Sequence, residues 1–412
     1  MIETRAIVLA AGRGTRMKSD VPKVLHGVCG KPILQYILDI TRSLKTYVVV
    51  GFGGAEVQKA VGDGVAYVRQ ENLLGTADAV RRVEPLLKGF NGTVLVLCGD
   101  TPLLEQATAQ RLLAVHKQTK AAVTVLTAFM ENPHGYGRMV RDGKGSLLAI
   151  REQKDASVQE NAIREINVGV YCFAARTLFA VLRQVKANPR KKEFYLTDVI
   201  ELLFRKGARV ATWTTKDARA ALGVNSREDL AQATAVIRQR ILKKLMHSGV
   251  TIVDPATTYV EAGVTIGRDT VIYPCTMIHN DVRIGRNCSI GPFARIRSGS
   301  RIGNNVQIGN FTEVSRVSMG DGVFMKHFSF LGDAQIGAKT NIGAGTVTAN
   351  FDGVSKNKTI IGPGAFIGSD SILVAPVTIG AKAKIGAGAV VTRGKKVPAG
   401  ATAVGVPARV VK

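Results

Sequence analysis

The stretch Leu9-Ala10-Ala11-Gly12-Arg13-Gly14-Thr15-Arg16-Met17, with Lys23 shortly after, sets two glycines and several cations where an apolar run ends. Glycine reaches positive φ without a Cβ clash, so such a turn can aim backbone N–H groups at a phosphate chain. Arg16 and Lys23 would supply charge for the same anion. Asp100 follows the apolar run 94–98 and Gly99, and its carboxylate is a hard oxygen ligand suited to Mg²⁺. The motif reads G-x-G-x-x-M. It lacks the third glycine of the dinucleotide fingerprint and the G-K-[ST] of a P-loop, so neither a Rossmann oxidoreductase nor a P-loop kinase is supported.

The elements that must hold these residues alternate. Apolar runs at 6–9, 47–50, 94–98 and 122–126 are separated by helical spacing at 33–44 and 77–87. This predicts a parallel sheet covered on both faces, with ligands beyond the carboxyl ends of its strands. Residues 226–247 read as one connecting helix: Ser226 is an N-cap with Asp229 three residues on, and Leu230, Ala233, Ile237, Ile241 and Leu245 form an apolar stripe. The domains expected are 1–225, this connector over 226–250, and 251–412.

From Thr251 the composition changes. Glycines preceded by an apolar residue recur at multiples of six: Gly267, Gly285, Gly291, Gly303 and Gly309. The phase slips by one before Gly320 and again before Gly337, then slips back before Gly362. This is a hexapeptide repeat, each hexad being a short strand and a corner. The irregular interval after Gly343 predicts an extruded loop over residues 351–356.

The formal net charge is +25, but the basic residues are scattered: 18 Lys/Arg against 9 Asp/Glu from Thr251 onward, and 38 against 22 before it. With no basic tail and no aromatic-basic strip, anionic small substrates are expected rather than nucleic acid. Five scattered cysteines without a C-x-x-C pair point to reduced thiols in a cytoplasmic protein, and no apolar run is long enough to insert in a membrane.

Joined to Gln70, Gly75-Thr76, Gly99-Asp100, Tyr136-Gly137-Arg138, Glu152-Gln153-Lys154-Asp155, Glu165-Ile166-Asn167, Glu193–Asp198 and Gly223-Val224-Asn225, the glycine-rich turn resembles that of the sugar-nucleotide pyrophosphorylases. Over the full chain the sequence is similar to the bifunctional UDP-N-acetylglucosamine pyrophosphorylase/glucosamine-1-phosphate N-acetyltransferase family. That resemblance implies an α/β nucleotidyltransferase domain with a Rossmann-like mixed sheet, plus an all-β left-handed parallel β-helix of hexapeptide repeats. It further implies that Leu9, Ala10, Ala11, Gly12, Gln70, Gly75 and Thr76 hold uridine, that Gly137, Glu152 and Asn167 hold the sugar, and that Asn225 joins Asp100 on Mg²⁺. Arg16 and Lys23 would be catalytic, stabilising the α-phosphate and the leaving pyrophosphate.

In the second domain the resemblance makes His327 a general base on the amine of glucosamine 1-phosphate, with Glu313 orienting it. It makes Arg297, Asn341 and Asn350 substrate ligands, and Ala344, Ser369 and Ala387 contacts for acetyl-CoA. Four positions depart: Ser315 replaces a lysine, Phe330 and Phe351 replace tyrosines, and Gly405 lies about where an arginine is found. The expected activity is acetyl transfer followed by uridylyl transfer from UTP to N-acetylglucosamine 1-phosphate, in a homotrimer. The alternative is a monofunctional pyrophosphorylase whose β-helix serves only assembly or regulation.

Overall fold

The computed structural model describes residues 3–189 and 192–411, which divide into two compact units, one ending at Thr234 and one beginning at Ala235. The division falls inside the helix Arg227–His247. That helix opens with the expected reciprocal cap: Ser226 Oγ accepts from the Asp229 N–H, and Asp229 Oδ2 accepts from the N–H groups of Ser226 and Asn225.

In the N-terminal unit the strand Thr4–Ala10 is central, lying parallel to both Lys45–Val50 and Thr93–Cys98. Its interior side chains Ala6, Ile7 and Val8 are fully buried, which is why the run is apolar without alternation. Helix 33–44 shortens to Ile33–Ile40, and helix 77–87 resolves into Thr76–Arg81 and a 3₁₀ turn Glu84–Leu87 around Pro85.

The strand–helix alternation predicts a parallel sheet and the resemblance a mixed one, and the mixed sheet is what the structure has. The strand Glu165–Ala174 enters between Thr93–Cys98 and Val123–Phe129 and runs antiparallel to both. The sheet is therefore mixed. A register shift between Asn167 and Tyr171, with Gly169 at φ +80°, bends this strand where it passes the site.

The second unit is a β-helix of three sheets of short parallel strands stacked one coil above the next, with only the last strand, Arg409–Val411, turning back antiparallel to Thr402–Val404 among the described residues. Inward positions such as Ile272, Ile290, Ile308, Met325, Ile342 and Ile367 form one buried column. Glycine is required where coils touch: a Cβ on Gly309 would lie 1.9 Å from the Lys326 carbonyl oxygen. Buried hydroxyls three residues after several such glycines, including Thr312, Thr340, Thr346 and Ser371, donate back to the glycine carbonyls and close the corners.

The phase slips now have a physical meaning. Residues Arg295 and Glu313 stand opposite each other eighteen apart, but the corner at Arg316-Val317 is one residue shorter, so Arg301 faces Ser318. The later interval extrudes the expected loop, closed by a bridge between Phe351 and Lys356, before Ala334 meets Thr359.

Candidate active sites

The glycine-rich turn emerges from the carboxyl end of Thr4–Ala10. Gly14 has φ +62°, and a Cβ there would lie 2.7 Å from Lys23 Cβ, so only glycine lets the turn close over Lys23. The chain returns through a 3₁₀ turn at Lys23–Leu25, which buries Lys23. Its Nζ donates to Asp100 Oδ2 at 2.5 Å and to Asn225 Oδ1 at 3.0 Å. Asn225 is brought there by the segment before the long helix: Val224 N–H donates to the Asp100 carbonyl, and Asn225 Nδ2 to the Gly223 carbonyl. Residues far apart in sequence thus meet at one point.

Beside them lies a cavity of about 410 Å³ lined by Leu9, Ala10, Ala11, Gly12, Lys23, Gln70, Gly75, Thr76 and Asp100. Gly99, which precedes Asp100, packs against strand Thr4–Ala10, its N–H donating to the Leu9 carbonyl. Gln70 Nε2 donates to the Gly75 carbonyl and to buried Asp78. Leu196 N–H donates to Thr76 Oγ1, and Ala77 N–H to the Phe194 carbonyl, so the segment around Glu193–Leu196 covers the start of helix Thr76–Arg81.

Gly137, Glu152 and Asn167 also cluster. A Cβ on Gly137 would lie 3.6 Å from Asn167 Cβ and 3.7 Å from Glu152 Oε1. The strand bend orients Asn167, whose Oδ1 accepts from Gly169 N–H and whose Nδ2 donates to the Tyr171 hydroxyl at 2.6 Å. Burial raises the Glu152 carboxyl, opposed by a hydrogen bond from Thr197. Burial foremost, with the charges of Asp100 and Glu152 and against that of Lys23, pushes the Cys98 thiol up to about 12. Cys98 thus feels both the cation-binding oxygens and the Glu152 cluster.

Arg16 is exposed on the turn Thr15–Met17 and does not line the cavity, whereas Arg13 and Thr15 do. Sequence reasoning also passed over Arg227. Its guanidinium donates to the Met17 carbonyl and contacts His26 Nδ1 at 3.2 Å, tying the turn to the residue pair that carries Asn225. The available signal was its position two residues after Asn225. Burial and the Arg227 charge both lower the His26 imidazole, favouring the neutral ring.

In the β-helix, His327 is exposed and its Nδ1 lies 3.3 Å from Asn310 Oδ1. Glu313 stands past the corner on the next wall, opposite Phe330, and its carboxylate is held by Arg297 at 3.0 Å and Arg295 at 3.8 Å. Within one chain Asn310, not Glu313, meets the histidine, because Asn310 and His327 are register partners. Asn341 lies on the same wall one coil on, opposite Phe324.

Ala344, Ser369 and Ala387 form a column down one corner, linked by Asp370 N–H to the Ala344 carbonyl and Gly388 N–H to the Ser369 carbonyl. Asn350 is buried and donates to Asp333, which also takes a two-pronged pair from Arg316 at 2.6 and 2.8 Å. Ser315 is 1% exposed, and its hydroxyl has no hydrogen-bond partner. Phe351 is exposed on the loop, Phe330 is half-buried, and Gly405 has φ +91°.

A family model described as the MobA-like NTP transferase domain matches residues 6–199, and the bacterial transferase hexapeptide model (six repeats) matches 263–298, 281–316 and 358–393. "Bifunctional protein GlmU" of Geobacillus sp. (strain WCH70) is 44% identical over 92% of this chain and 90% of its own length. The chain belongs to the GlmU family. GlmU of Pelotomaculum thermopropionicum is 45% identical over 91% of this chain and 90% of its own length. GlmU of Geobacillus thermodenitrificans is 44% identical over 98% and 96%. As a GlmU-family member the protein is a bifunctional transferase, a uridylyltransferase joined to a hexapeptide-repeat acetyltransferase, and the monofunctional alternative is set aside.

Proposed function

We propose that the protein acetylates glucosamine 1-phosphate on the β-helix and then couples the product to UTP in the N-terminal unit, releasing pyrophosphate. The observation that carries the second step is the buried Lys23 ammonium held between Asp100 and Asn225 at the mouth of the glycine-rich cavity.

The oxygens of Asp100 and Asn225 already hold one cation, the Lys23 ammonium, and they are hard donors of the kind Mg²⁺ takes. Among the described residues no cluster of three or more His, Cys, Asp or Glu could hold a metal. Two protein oxygens leave the remaining positions to phosphate and water, as is usual for Mg²⁺. When bound, the ion neutralises triphosphate charge. Backbone N–H groups of the turn from Gly12 and the Lys23 ammonium hold the phosphates. Arg16, on the exposed side of the turn, serves the leaving pyrophosphate. The sugar phosphate oxygen bonds to the α-phosphorus while the bond to the pyrophosphate oxygen breaks in line. Gln70 already uses its amide N–H₂ within the protein, so it offers uracil a carbonyl oxygen, an acceptor for a ring N–H. Leu9 to Gly12, Gly75 and Thr76 shape the rest of the uridine site, and Gly137, Glu152 and Asn167 receive the sugar.

For acetyl transfer, an Asn310 carbonyl accepting from Nδ1–H leaves the His327 Nε2 lone pair free. That nitrogen takes a proton from the C2 amine as the amine attacks the thioester, and the coenzyme A sulfur leaves. Arg297 holds the sugar phosphate, Asn341 and Asn350 the sugar, and the Ala344–Ser369–Ala387 column the coenzyme. The stacked, exposed Phe293 and Phe311 (ring centroids 5.0 Å apart) and exposed Phe328 support assembly of the β-helices as a homotrimer. The free cysteines, and the absence among the described residues of a helix able to cross a membrane, support a cytoplasmic enzyme.

The test supplies acetyl-CoA and glucosamine 1-phosphate and follows free thiol, with His327→Ala as control. Thiol release should fall about 10²–10⁴-fold in the variant. Equal release by both proteins would remove His327 from the mechanism.

A further inference from the structure

Helix Thr76–Arg81 separates the nucleotide cavity from a second one. The second has a volume of about 470 Å³, within the usual range for small-molecule sites. Arg81, Lys88, Arg176 and Arg183 line it against a single carboxylate, Glu84. Leu87, Phe90 and Phe179 supply an apolar floor. The scattered positive charge of the chain is here concentrated on one concave surface. Glu84 takes Arg183 at 2.5 Å, and the Arg176 Nε donates to the Asn91 side chain. These contacts leave other guanidinium N–H groups available, and arginine forks match phosphate oxygens in pairs. None of these residues has a part in either transfer reaction.

Arg81 also reaches the other way. Its Nη2 donates to Asp78 at 3.0 Å, and Asp78 accepts from Gln70 at 2.9 Å and from Arg82 at 3.4 Å. The Asp78 side chain is fully buried. Burial would raise this carboxyl, but the hydrogen bonds from Gln70, Arg81 and Arg82 hold it below the usual range. One buried carboxylate is therefore shared by an arginine lining the second cavity and a glutamine lining the first.

We propose that the second cavity binds an organic phosphate, its phosphates on the arginines and its organic part on the apolar floor, and that Arg81 transmits occupancy through Asp78 to Gln70. A phosphate competes with Asp78 for Arg81. Drawing Arg81 away leaves Asp78 to Arg82 and Gln70 alone, which shifts the Gln70 amide. The binding half stands on its own, while the coupling half rests on Gln70 holding uracil.

The experiment titrates the full chain calorimetrically with ATP and, separately, glucose 6-phosphate, comparing wild type with Arg176→Ala/Arg183→Ala. At least one probe should bind, and the double variant should weaken it about tenfold or more. Its uridylyl transfer without probe should stay within about twofold of wild type. A response to ATP alone assigns a nucleotide, and to glucose 6-phosphate alone a sugar phosphate. No binding by either, or equal binding by the variant, overturns the site. Saturating probe should change UTP affinity about fivefold or more in wild type and not in Arg81→Gln. An unchanged UTP affinity in wild type overturns the coupling, unless Gln70→Ala also leaves UTP binding unaltered. That last result would place the error in the uracil assignment.

Discussion

In the N-terminal unit Lys23, Asp100 and Asn225 come from distant segments and are locked together by hydrogen bonds, with Lys23 only 11% exposed. In the β-helix His327, Ser369 and Ala387 are exposed on separate coils, Ser369 and Ala387 stacked in one corner column and His327 beside Asn310 of the preceding coil. The first arrangement encloses a site within one chain. The second displays a row of groups on the outside of the prism. A parallel coil repeats one side-chain direction per wall, so its groups line up in rows, whereas strand ends and loops of a mixed sheet bring distant segments to one point.

Removing the centre of the enclosed site should have the largest effect. Lys23→Ala leaves two half-buried oxygens without their cation and removes a charge from the phosphate path. Uridylyl transfer should fall about 10³-fold, as for loss of one preorganised transition-state donor, with thiol release from acetyl-CoA unchanged. A parallel fall in both activities would break the contrast between the two units.

The two units should also differ in their response to pH. Burial pushes Asp198 up to about 6, so its ionisation opposes folding: stability is greatest below the usual carboxylate value and is lost as pH rises through about 6. Asp198→Asn should therefore be more stable than wild type at pH 8, by about 1 kcal/mol after solvent screening, and no more stable at pH 4. Thermal melts at the two pH values decide it, and equal stability at pH 8 would remove the burial argument. In the β-helix the sign is reversed: the Arg316 pair holds Asp333 below the ordinary range, so its contribution is lost as pH falls.

The smallest effect concerns Ser315, whose buried hydroxyl has no partner. An unsatisfied hydroxyl costs free energy, so Ser315→Ala should raise the β-helix melting temperature, by the equivalent of up to about 1 kcal/mol. A lower melting temperature would show that the hydroxyl is satisfied in solution.

These differences explain what was legible in the sequence. The hexapeptide glycines announced the β-helix because each stacking contact forbids a Cβ, so the constraint recurs at a fixed period, and the one-residue slip before Gly320 corresponds to the short corner that the structure shows at Arg316-Val317. The glycine-rich turn and Asp100 were legible because they end apolar strands. Strand Glu165–Ala174 was not, since its antiparallel insertion depends on partners distant in sequence. Nor was the separation of Glu313 from His327, which follows from a corner between them, or the tie from Arg227 to the glycine-rich turn, which joins segments at opposite ends of the N-terminal unit.

The central claim is that one chain carries two separately assembled reaction centres. It is tested most directly by Asp100→Ala, assayed for pyrophosphate release from UTP with N-acetylglucosamine 1-phosphate and, in parallel, for thiol release from acetyl-CoA with glucosamine 1-phosphate. Pyrophosphate release should be abolished and thiol release retained. Persistent pyrophosphate release, or loss of both activities in a folded variant, would contradict the account.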